Sequence, residues 1–454
     1  MPGPLIRVFA MLVLGAVGHA ACWPASAGAA DLLAVYREAK ANDAVYASAR
    51  AALVAGAERI PQGRALILPS MNATASSTFQ GNVVSFYNNG PLTGVPINRD
   101  LRSNVWAVTL TQPIYRWQNW VQYEEAAYQV AQSEAQFGQA SQDLVVRVAQ
   151  AYFDVLSAEN SLAFIQAQKT AISEQLAQAK RNFEVGTATI TDTNEAQSRF
   201  DLSVSQEIAA QNDLEIRRQT LRQIIGRVPE RLAPLRSDFA LNPPEPNRME
   251  DWVDAAQKQS YAVRLQQAAV EIAEREVRRN RAGHLPTVDM VASYGRTDNT
   301  GNVNNGLGAL TTSSTLGLQL SLPLYAGGAV DSRVREALAN FDRSRSDLEN
   351  SRRQAALAAR QSFLSVTNGR AQVDALKQAV NSSETALASN KLGYEVGVRI
   401  NIDVLNAQQQ LFSTRRDLSL AQYNTIMNGL RLKAAAGTLA DDDLEAVNRL
   451  LASE

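Results

Sequence analysis

The sequence predicts an α+β membrane protein made of two tandem structural repeats, each with a strand pair and long antiparallel coiled-coil helices. The two halves of the 454-residue chain match each other at a constant spacing. Each half contains runs in which apolar and polar residues alternate, which is typical of β-strands. Each half also contains one very long helical stretch, residues 117–184 or 329–395, and in the first of these apolar residues recur every seventh position. That period indicates a coiled-coil seam.

The composition agrees with long helices and excludes some partners. Aromatic residues make up only 6% of the chain, which does not favour one large globular core. Long Ala-rich helices need fewer large side chains, because each helix buries only a narrow apolar seam. The 44 Lys and Arg residues nearly balance the 45 Asp and Glu residues. Without a strong net charge, there is no reason to expect nucleic acid as a partner.

The N-terminus reads as a secretory signal peptide, which we assign to residues 1–30. A positive charge precedes an apolar run, and small residues lead up to Asp31. A rival interpretation is a lipoprotein anchored through Cys22, although His19 stands where such a site prefers Leu. Cleavage near Ala30 or Asp31 would remove the single Cys, so no disulfide is expected.

A tandem duplication accounts for the matching halves. Residues 183–186 read Phe-Glu-Val-Gly and residues 394–397 read Tyr-Glu-Val-Gly, and the same spacing relates Asp192 to Asp403. The order of these residues, their spacing and the turn-forming Gly all repeat, which chance does not produce. We therefore predict repeat 1 over 31–242, a Pro-rich linker over 243–248, repeat 2 over 249–440 and a solvated acidic tail over 441–454.

Two strand pairs are predicted, over about 68–113 and 286–324. In the clearest strand, apolar residues occupy every second position and small or polar residues lie between them. Its apolar residues are Leu316, Leu318, Leu320, Leu322 and Leu324. The edge of a soluble sandwich is a rival interpretation, but lone hairpins are marginal in water. No stretch after the signal reaches the roughly 20 apolar residues of a spanning helix, so the strands would enter a membrane as a barrel.

The helix lengths predict how the helices pack. The helix over 117–184 would be about 100 Å long at about 1.5 Å per residue. Its two partners in repeat 1, over 31–64 and 191–225, together have nearly the same number of residues. Repeat 2 has the corresponding helices over 249–282, 329–395 and 401–436. We therefore expect each pair of shorter helices to stack end to end beside the long helix.

Two motifs in repeat 2 carry a family resemblance. Residues 322–328 read Leu-Pro-Leu-Tyr-Ala-Gly-Gly; residues 394–399 read Tyr-Glu-Val-Gly-Val-Arg, and Asp-Val-Leu-Asn-Ala follows from Asp403. This pattern resembles the TolC family of outer-membrane efflux and type I secretion ducts. The resemblance implies a homotrimer that closes a twelve-stranded β-barrel in outer-membrane lipid, with a helical coiled-coil barrel extending into the periplasm. It also implies a periplasmic adaptor protein and an inner-membrane pump or ABC transporter as partners, and no cofactor or metal.

The resemblance also assigns roles to residues at the two turns between long helices. The turns would dock the adaptor through Val185, Gly186, Thr187, Val396, Gly397 and Val398. A periplasmic gate would lie beside them, in which Arg399 bonds Thr191 and Asp192 of a neighbouring hairpin. Tyr394 would bond Asp192 as well. The residues alone favour a plainer interpretation of Arg399, an exposed ion pair near a helix end.

The same resemblance places a constriction just beyond the gate. Asp403 would form a ring of three carboxylates at the narrowest point of the tunnel. Where well-known members of the family carry a second Asp, this chain has Asn406. Cation preference and block by divalent ions should therefore be weaker than in a duct with two carboxylate rings.

Two other classes of function, an enzyme and a soluble adaptor, fit the sequence less well than a duct. An enzyme is not expected, because the sequence shows no nucleophile motif, metal-ligand cluster or phosphate-binding glycine loop. His284 stands at the start of a predicted strand, where a role in lining the turn is simpler than catalysis. A soluble periplasmic coiled-coil adaptor would also be secreted, but it needs no alternating strands. The cargo, drugs or a protein, stays open.

Overall fold

A computed structural model of the chain describes residues 29–85, 87, 94, 96–228, 231–236, 238–304 and 307–452. The predicted signal peptide and Cys22 lie outside this range, apart from Ala29 and Ala30. Within the described residues, no helix is both long enough and apolar enough to cross a membrane.

Four antiparallel strands form one sheet in the order β1-β2-β3-β4. The strands are β1 (Ser70–Val84), β2 (Ile97–Tyr115), β3 (Thr287–Asn304) and β4 (Leu307–Ser321). The central pair, β2 with β3, joins the two halves of the chain, so the sheet is shared between them. Since β1 and β4 each pair on one side only, the sheet of one chain has two free edges.

The sheet has one apolar and one polar face. In the register, Met71 lies opposite Leu110, Val108 opposite Tyr294, and Ala292 opposite Leu316. These residues share a face, because side chains alternate across a strand. Trp106 and Tyr294 meet edge to face on it, with ring centroids 5.8 Å apart. The opposite face carries Ser and Thr, and Ser293 Oγ and Thr315 Oγ1 lie 2.6 Å apart.

The apolar face is exposed to solvent in the single chain. The side chain of Leu316 is 75% exposed, and those of Leu318 and Leu320 are exposed as well. No helix or loop of the described chain covers this row. A water-soluble protein rarely leaves such a continuous apolar surface uncovered.

Ten α-helices complete the described part of the chain. They are α1 (Leu32–Asn42), α2 (Ala44–Ala57), α3 (Arg59–Ala65), α4 (Trp117–Glu184), α5 (Ile190–Ile225), α6 (Met249–Gln259), α7 (Tyr261–Arg281), α8 (Ala329–Glu395), α9 (Asn401–Ala436) and α10 (Asp441–Asn448). A 3₁₀ turn, Ala282–His284, follows α7. The long helix α4 has 68 residues and α8 has 67. Helices α1, α2, α3 and α5 all lie along α4, which is the end-to-end arrangement predicted from the helix lengths.

Two helices that were predicted as continuous are broken, so those predictions were wrong. The stretch 31–64 divides at Asp43 and again at Glu58. At the first break, Asp43 Oδ1 accepts a hydrogen bond from the Tyr46 N–H at 2.6 Å and so starts α2. The stretch 249–282 divides at Ser260, whose Oγ accepts from the Val263 N–H at 3.4 Å. Asp43 and Ser260 are N-caps, which favour the start of a new helix over continuation of the old one.

The main core lies about halfway along the long helices. Val148 and Val155 of α4, seven residues apart as predicted, are fully buried there. They pack with residues of α1, α5, α9 and α10 in one cluster. The Tyr152 hydroxyl donates to the Ala233 carbonyl at 2.8 Å and lies 3.2 Å from that of Ala30. The core therefore ties the start of the described chain to the middle of the helix bundle.

The segment 441–454 was predicted as a solvated acidic tail, and this prediction was wrong for its described part. Residues 441–448 form α10, and Leu444 is fully buried in the main core. Leu451 forms an antiparallel bridge with Leu235. The acidic residues have a local role, since Asp443 Oδ2 accepts from the Ala440 N–H at 2.9 Å at the start of the helix. A stripe of apolar residues, not the charge, decides where this segment lies.

Candidate functional site

The two turns that reverse the long helices have the same backbone geometry. Gly186 ends α4 and Gly397 ends α8, each with a φ of 79°. The Thr187 N–H donates to the Asn182 carbonyl at 2.8 Å, and the Val398 N–H donates to the Gly393 carbonyl at 2.9 Å. Because only Gly adopts a positive φ at little cost, these two residues allow the tight reversal.

The turns form an apolar tip at the end of the bundle remote from the sheet. Val185, Val396 and Val398 are each largely exposed. Ile190 and Ile400, at the start of the returning helices, are exposed too. We call these five side chains the tip surface. Its exposure in the single chain is compatible with a docking role, which stays a prediction.

Asp192, a predicted gate residue, is held by its own turn. Its Oδ2 accepts from the Thr189 hydroxyl at 2.7 Å and from the Thr189 N–H at 3.0 Å. The Asp192 N–H in return lies 3.2 Å from Thr189 Oγ1, which completes a capping box. Thr191 is exposed beside it. Within the described part of one chain, no hydrogen bond joins Asp192 to Tyr394 or Arg399.

Arg399 and Tyr394 have other partners inside the chain. An Arg399 Nη1 lies 3.6 Å from Asp403 Oδ2, one turn along α9, and these side chains are 58% and 33% exposed. Such an exposed pair contributes under about 1 kcal/mol. The Tyr394 hydroxyl accepts from Asn182 Nδ2 at 3.1 Å. The predicted bonds to a neighbouring hairpin are therefore not made within one chain, and they stay a prediction about an assembly.

The predicted constriction residues line a groove between α8 and α9. The groove has a volume of about 490 Å³. Its walls include Ser382, Ser383, Asn390, Arg399, Asp403 and Asn406. Arg399, just before α9, thus lies close to Asp403 and Asn406 in the first turns of α9, and their roles stay a prediction.

Sequence reasoning missed the residue that contacts Asn406 from the other hairpin. Arg199 of α5 donates from Nη2 to Asn406 Oδ1 at 3.1 Å and from Nη1 to Gln409 Oε1 at 2.8 Å. Nothing in the sequence around Arg199 sets it apart from the other Arg residues of α5. Only the folded structure, in which the long Arg199 side chain reaches from α5 to α9, identifies it.

A buried seam beneath these polar contacts joins the two hairpins. Leu405 of α9 packs against Ile172, Leu176 and Ala179 of α4 and Ala196 of α5. Asn401 and Gln408 are also buried on α9. Neither atom of the Asn401 amide group, nor Gln408 Oε1, has a hydrogen-bond partner among the described residues. The seam is therefore mainly apolar, with two amide side chains inside it.

Metal ligation gains no support from the described residues. They contain no group of three or more His, Cys, Asp or Glu side chains placed to hold an ion. The candidate site consists of the tip surface together with the predicted gate and constriction residues, which lie next to it on the side facing the sheet.

Comparison with known proteins decides the family. The model of the family described as outer membrane efflux protein matches residues 35–227 and 252–438. The chain belongs to the outer membrane efflux protein family. The predicted resemblance is thereby confirmed. This is a family of outer-membrane channels and not of enzymes.

Individual members of the efflux family match over nearly the whole chain. The outer membrane protein TolC of Vibrio cholerae is 31% identical, over 98% of this chain and 98% of its own. The proteases secretion protein PrtF of Dickeya chrysanthemi is 32% identical, over 92% of this chain and 90% of its own. These relatives confirm the predicted outer-membrane location and exit-duct function, and they do not favour the soluble adaptor.

Solved structures of outer-membrane channels share the fold of this efflux-family chain. The outer membrane protein VceC of Vibrio cholerae superposes with a TM-score of 0.74, over 89% of this chain and 96% of its own. Its identity of 18% means that this likeness concerns the fold alone. The shared architecture is a mostly helical chain with one four-stranded antiparallel sheet.

Proposed function

We propose that three copies of this chain assemble into an outer-membrane exit duct, with a twelve-stranded β-barrel above a periplasmic tunnel of helices. The observation that carries the proposal is the sheet of one chain. It has an exposed apolar face and two unpaired edges, β1 and β4. Pairing β4 of one chain with β1 of the next, three times over, leaves no edge and turns the apolar faces to lipid.

The helices support the same closure. In the half of the bundle near the tips, neighbouring helices contact in the order α5, α4, α9, α8, so α5 and α8 lie at the two sides. Both carry uncovered apolar residues at coiled-coil spacing. These are Leu202 and Ile216 on α5, and Leu357 and Leu364 on α8. A sister chain on each side would cover them in a continuous coiled-coil seam.

The length of the tunnel supports partners at the tips. Helix α4 has 68 residues and so extends about 100 Å from the sheet. If the sheet lies in the outer membrane, the tip surface lies deep in the periplasm, within reach of inner-membrane proteins. An adaptor protein docked there, with a pump or an ABC transporter behind it, would complete the export path. A family described by efflux and a relative named for protease secretion support both kinds of cargo as candidates.

The polar residues above the tips would form the gate and the constriction. In the assembly, Arg399 would bond Thr191 and Asp192 of a neighbouring hairpin, and Asp403 would form a ring of three carboxylates. These bonds would replace contacts that each chain makes by itself, the capping box of Asp192 and the weak Arg399–Asp403 pair. Opening therefore has a low cost, because each released residue has a local partner.

The duct itself is tested by its mass and its current. Purified in detergent, the protein should have the mass of three chains, and it should conduct ions when inserted in a planar lipid bilayer. Expression in a strain that lacks its own exit duct, together with a matching adaptor and pump, should restore resistance to exported drugs. A monomer that carries no current would end the proposal.

Replacing Arg399 with Ser is expected to raise the single-channel conductance of the resting duct. A charge-assisted bond of about 1.5–3 kcal/mol would be lost from each gate, which shifts the closed-to-open ratio by about tenfold or more. Single-channel recording in planar bilayers measures the change.

Arg415→Ser is the matched control for this gate variant. Arg415 lies further along, on α9, and pairs with Glu384 of its own hairpin at 2.6 Å. Its removal should leave the conductance as it is. An R399S duct with wild-type conductance would contradict the predicted gate.

A further inference from the structure

Among the described residues, six side-chain hydrogen bonds cross between the hairpin α4/α5 and the hairpin α8/α9 of one chain. Three lie in the main core region, where Asn160 donates to Ser419 Oγ at 3.0 Å and to the Tyr423 hydroxyl at 2.8 Å, and Arg431 donates to Gln150 Oε1 at 2.7 Å. Three lie near the tips, namely the Asn182–Tyr394 bond and the two bonds of Arg199. Of these, only Arg199 brings a permanent charge to the level of the predicted constriction.

Among the described residues, Arg199 is bound by two neutral acceptors and by no carboxylate. Its two terminal nitrogens donate to Asn406 Oδ1 and Gln409 Oε1. Asp201 on the same helix accepts from Gln197 at 2.9 Å. Glu195 stands four residues before Arg199, but within the described part of the chain no ion pair joins the two. The charge of Arg199 is therefore not cancelled by a direct partner.

Both constriction residues then have a guanidinium group in direct contact. Asp403 already has Arg399 beside it at 3.6 Å. Arg199 adds a second guanidinium group and occupies the carbonyl oxygen of Asn406. The charged groups in direct contact with Asp403 and Asn406 are thus two guanidinium groups, those of Arg399 and Arg199. The guanidinium group of Arg199 donates to two acceptors on α9 and so fixes the position of α5 relative to α9. Both bonds break together when the hairpins separate.

We propose that Arg199 clamps the two hairpins of a chain together and determines the ion selectivity at the constriction. The inference rests on the proposed trimeric duct and extends it to a residue and a charge balance. A carboxylate at position 406 would not restore the preference for cations that a second acidic ring gives, because Arg199 would bind and neutralise it. Position 406 can act as an acidic ring only when Arg199 is absent.

Four variants test the proposal, in planar bilayers under a salt gradient, by conductance and by reversal potential. Arg199→Gln should raise the resting conductance severalfold and shift selectivity towards cations. Arg199→Lys should keep the charge but lose the fork, so conductance should rise without that shift in selectivity. Asn406→Asp should lower conductance, because it creates an ion pair with Arg199, and should add little cation preference.

The double variant Arg199→Gln with Asn406→Asp should be the most cation-selective of all, and divalent cations should block it most strongly. Arg217→Gln is the control on the same helix. Arg217 pairs with Asp154 and Asp213 inside the hairpin α4/α5, both at 3.3 Å. Its removal should therefore change neither the conductance nor the reversal potential.

The outcomes separate the clamp from the duct itself. A wild-type protein that carries no current would contradict the proposed function. If wild type conducts, the clamp is overturned when Asn406→Asp alone becomes as cation-selective as the double variant, or when Arg199→Gln behaves as Arg217→Gln does. Trimer mass in detergent, measured for every variant, shows that each reading comes from an assembled duct, and Arg199→Lys serves if Arg199→Gln fails to assemble.

Discussion

Replacing Leu316 with Arg should keep the protein out of the outer membrane. Leu316 lies near the middle of β4, on the apolar face of the sheet, and is 75% exposed in the single chain. A charged side chain at the middle of the bilayer costs about 2–4 kcal/mol on the lipid face of a barrel. Three chains would each bear that cost in one closed barrel. Membrane fractionation and the yield of assembled trimer measure the effect.

Ser313→Arg is the matched control for the Leu316 variant. Ser313 is on the same strand but at an odd position, so it lies on the polar face, and it is also exposed. An Arg there would face the water-filled interior of the proposed barrel and should be tolerated. Equal membrane yields for the two variants, or the reverse order, would show that the apolar face does not meet lipid.

Replacing Asp43 with Ala should lower the free energy of unfolding by about 3 kcal/mol, because it removes both a helix cap and a charge pair. Asp43 is 4% exposed and caps α2 through the Tyr46 N–H. Arg147 of α4 donates to its two carboxylate oxygens at 2.9 and 3.0 Å. We expect less than for a fully buried pair, since the Arg147 side chain is 37% exposed. Urea unfolding in detergent measures the loss.

The effect of Asp43 should depend on pH in a defined direction. The hydrogen bonds from Arg147 hold the pKa of the Asp43 carboxyl below its usual value, against the opposing effect of burial. A carboxyl with a lowered pKa stabilises the fold fully above its unfolded pKa of about 3.9. That contribution is lost as the pH falls through the lower, folded pKa. The difference between wild type and D43A should thus be constant near neutral pH and should shrink below about pH 4.

Asp213→Ala provides the comparison for this stability effect. Asp213 also pairs with an Arg, but it is 52% exposed and lies one turn from Arg217 on the same helix. Its loss should cost about 0.5 kcal/mol or less. If D43A and D213A destabilise the protein equally, the buried cap and pair of Asp43 do not hold α2 on α4.

Short-range periodicity explains which parts of the fold could be predicted. The alternation around Leu316 and the seven-residue spacing of Val148 and Val155 follow from strand and helix geometry, so the sequence shows them directly. The helix breaks at Asp43 and Ser260 were missed, although each residue is a common N-cap. Ala-rich sequence on both sides of the first break hid it, because helix propensity is high there.

The candidate site also has features that a local sequence pattern predicts and contacts that it does not. The turns at Gly186 and Gly397 were visible in the sequence, because a left-handed residue at a helix end has a strong local signature. The local capping of Asp192 by Thr189 was available too, as a polar pair three residues apart at a helix start. The family resemblance assigns Asp192 a different role, in a gate between hairpins.

The sequence by itself determined the two repeats, the apolar face of the strands, the long helices and the family. All of these depend on residues that are near in the chain, or on motifs long enough to be recognised by sequence similarity. Only the tertiary structure decided that Arg199 reaches Asn406, that the last acidic segment is a helix packed in the core, and that Arg147 holds Asp43. Those contacts join residues far apart in the chain, and they exist only because packing the apolar seams brings particular helix faces together.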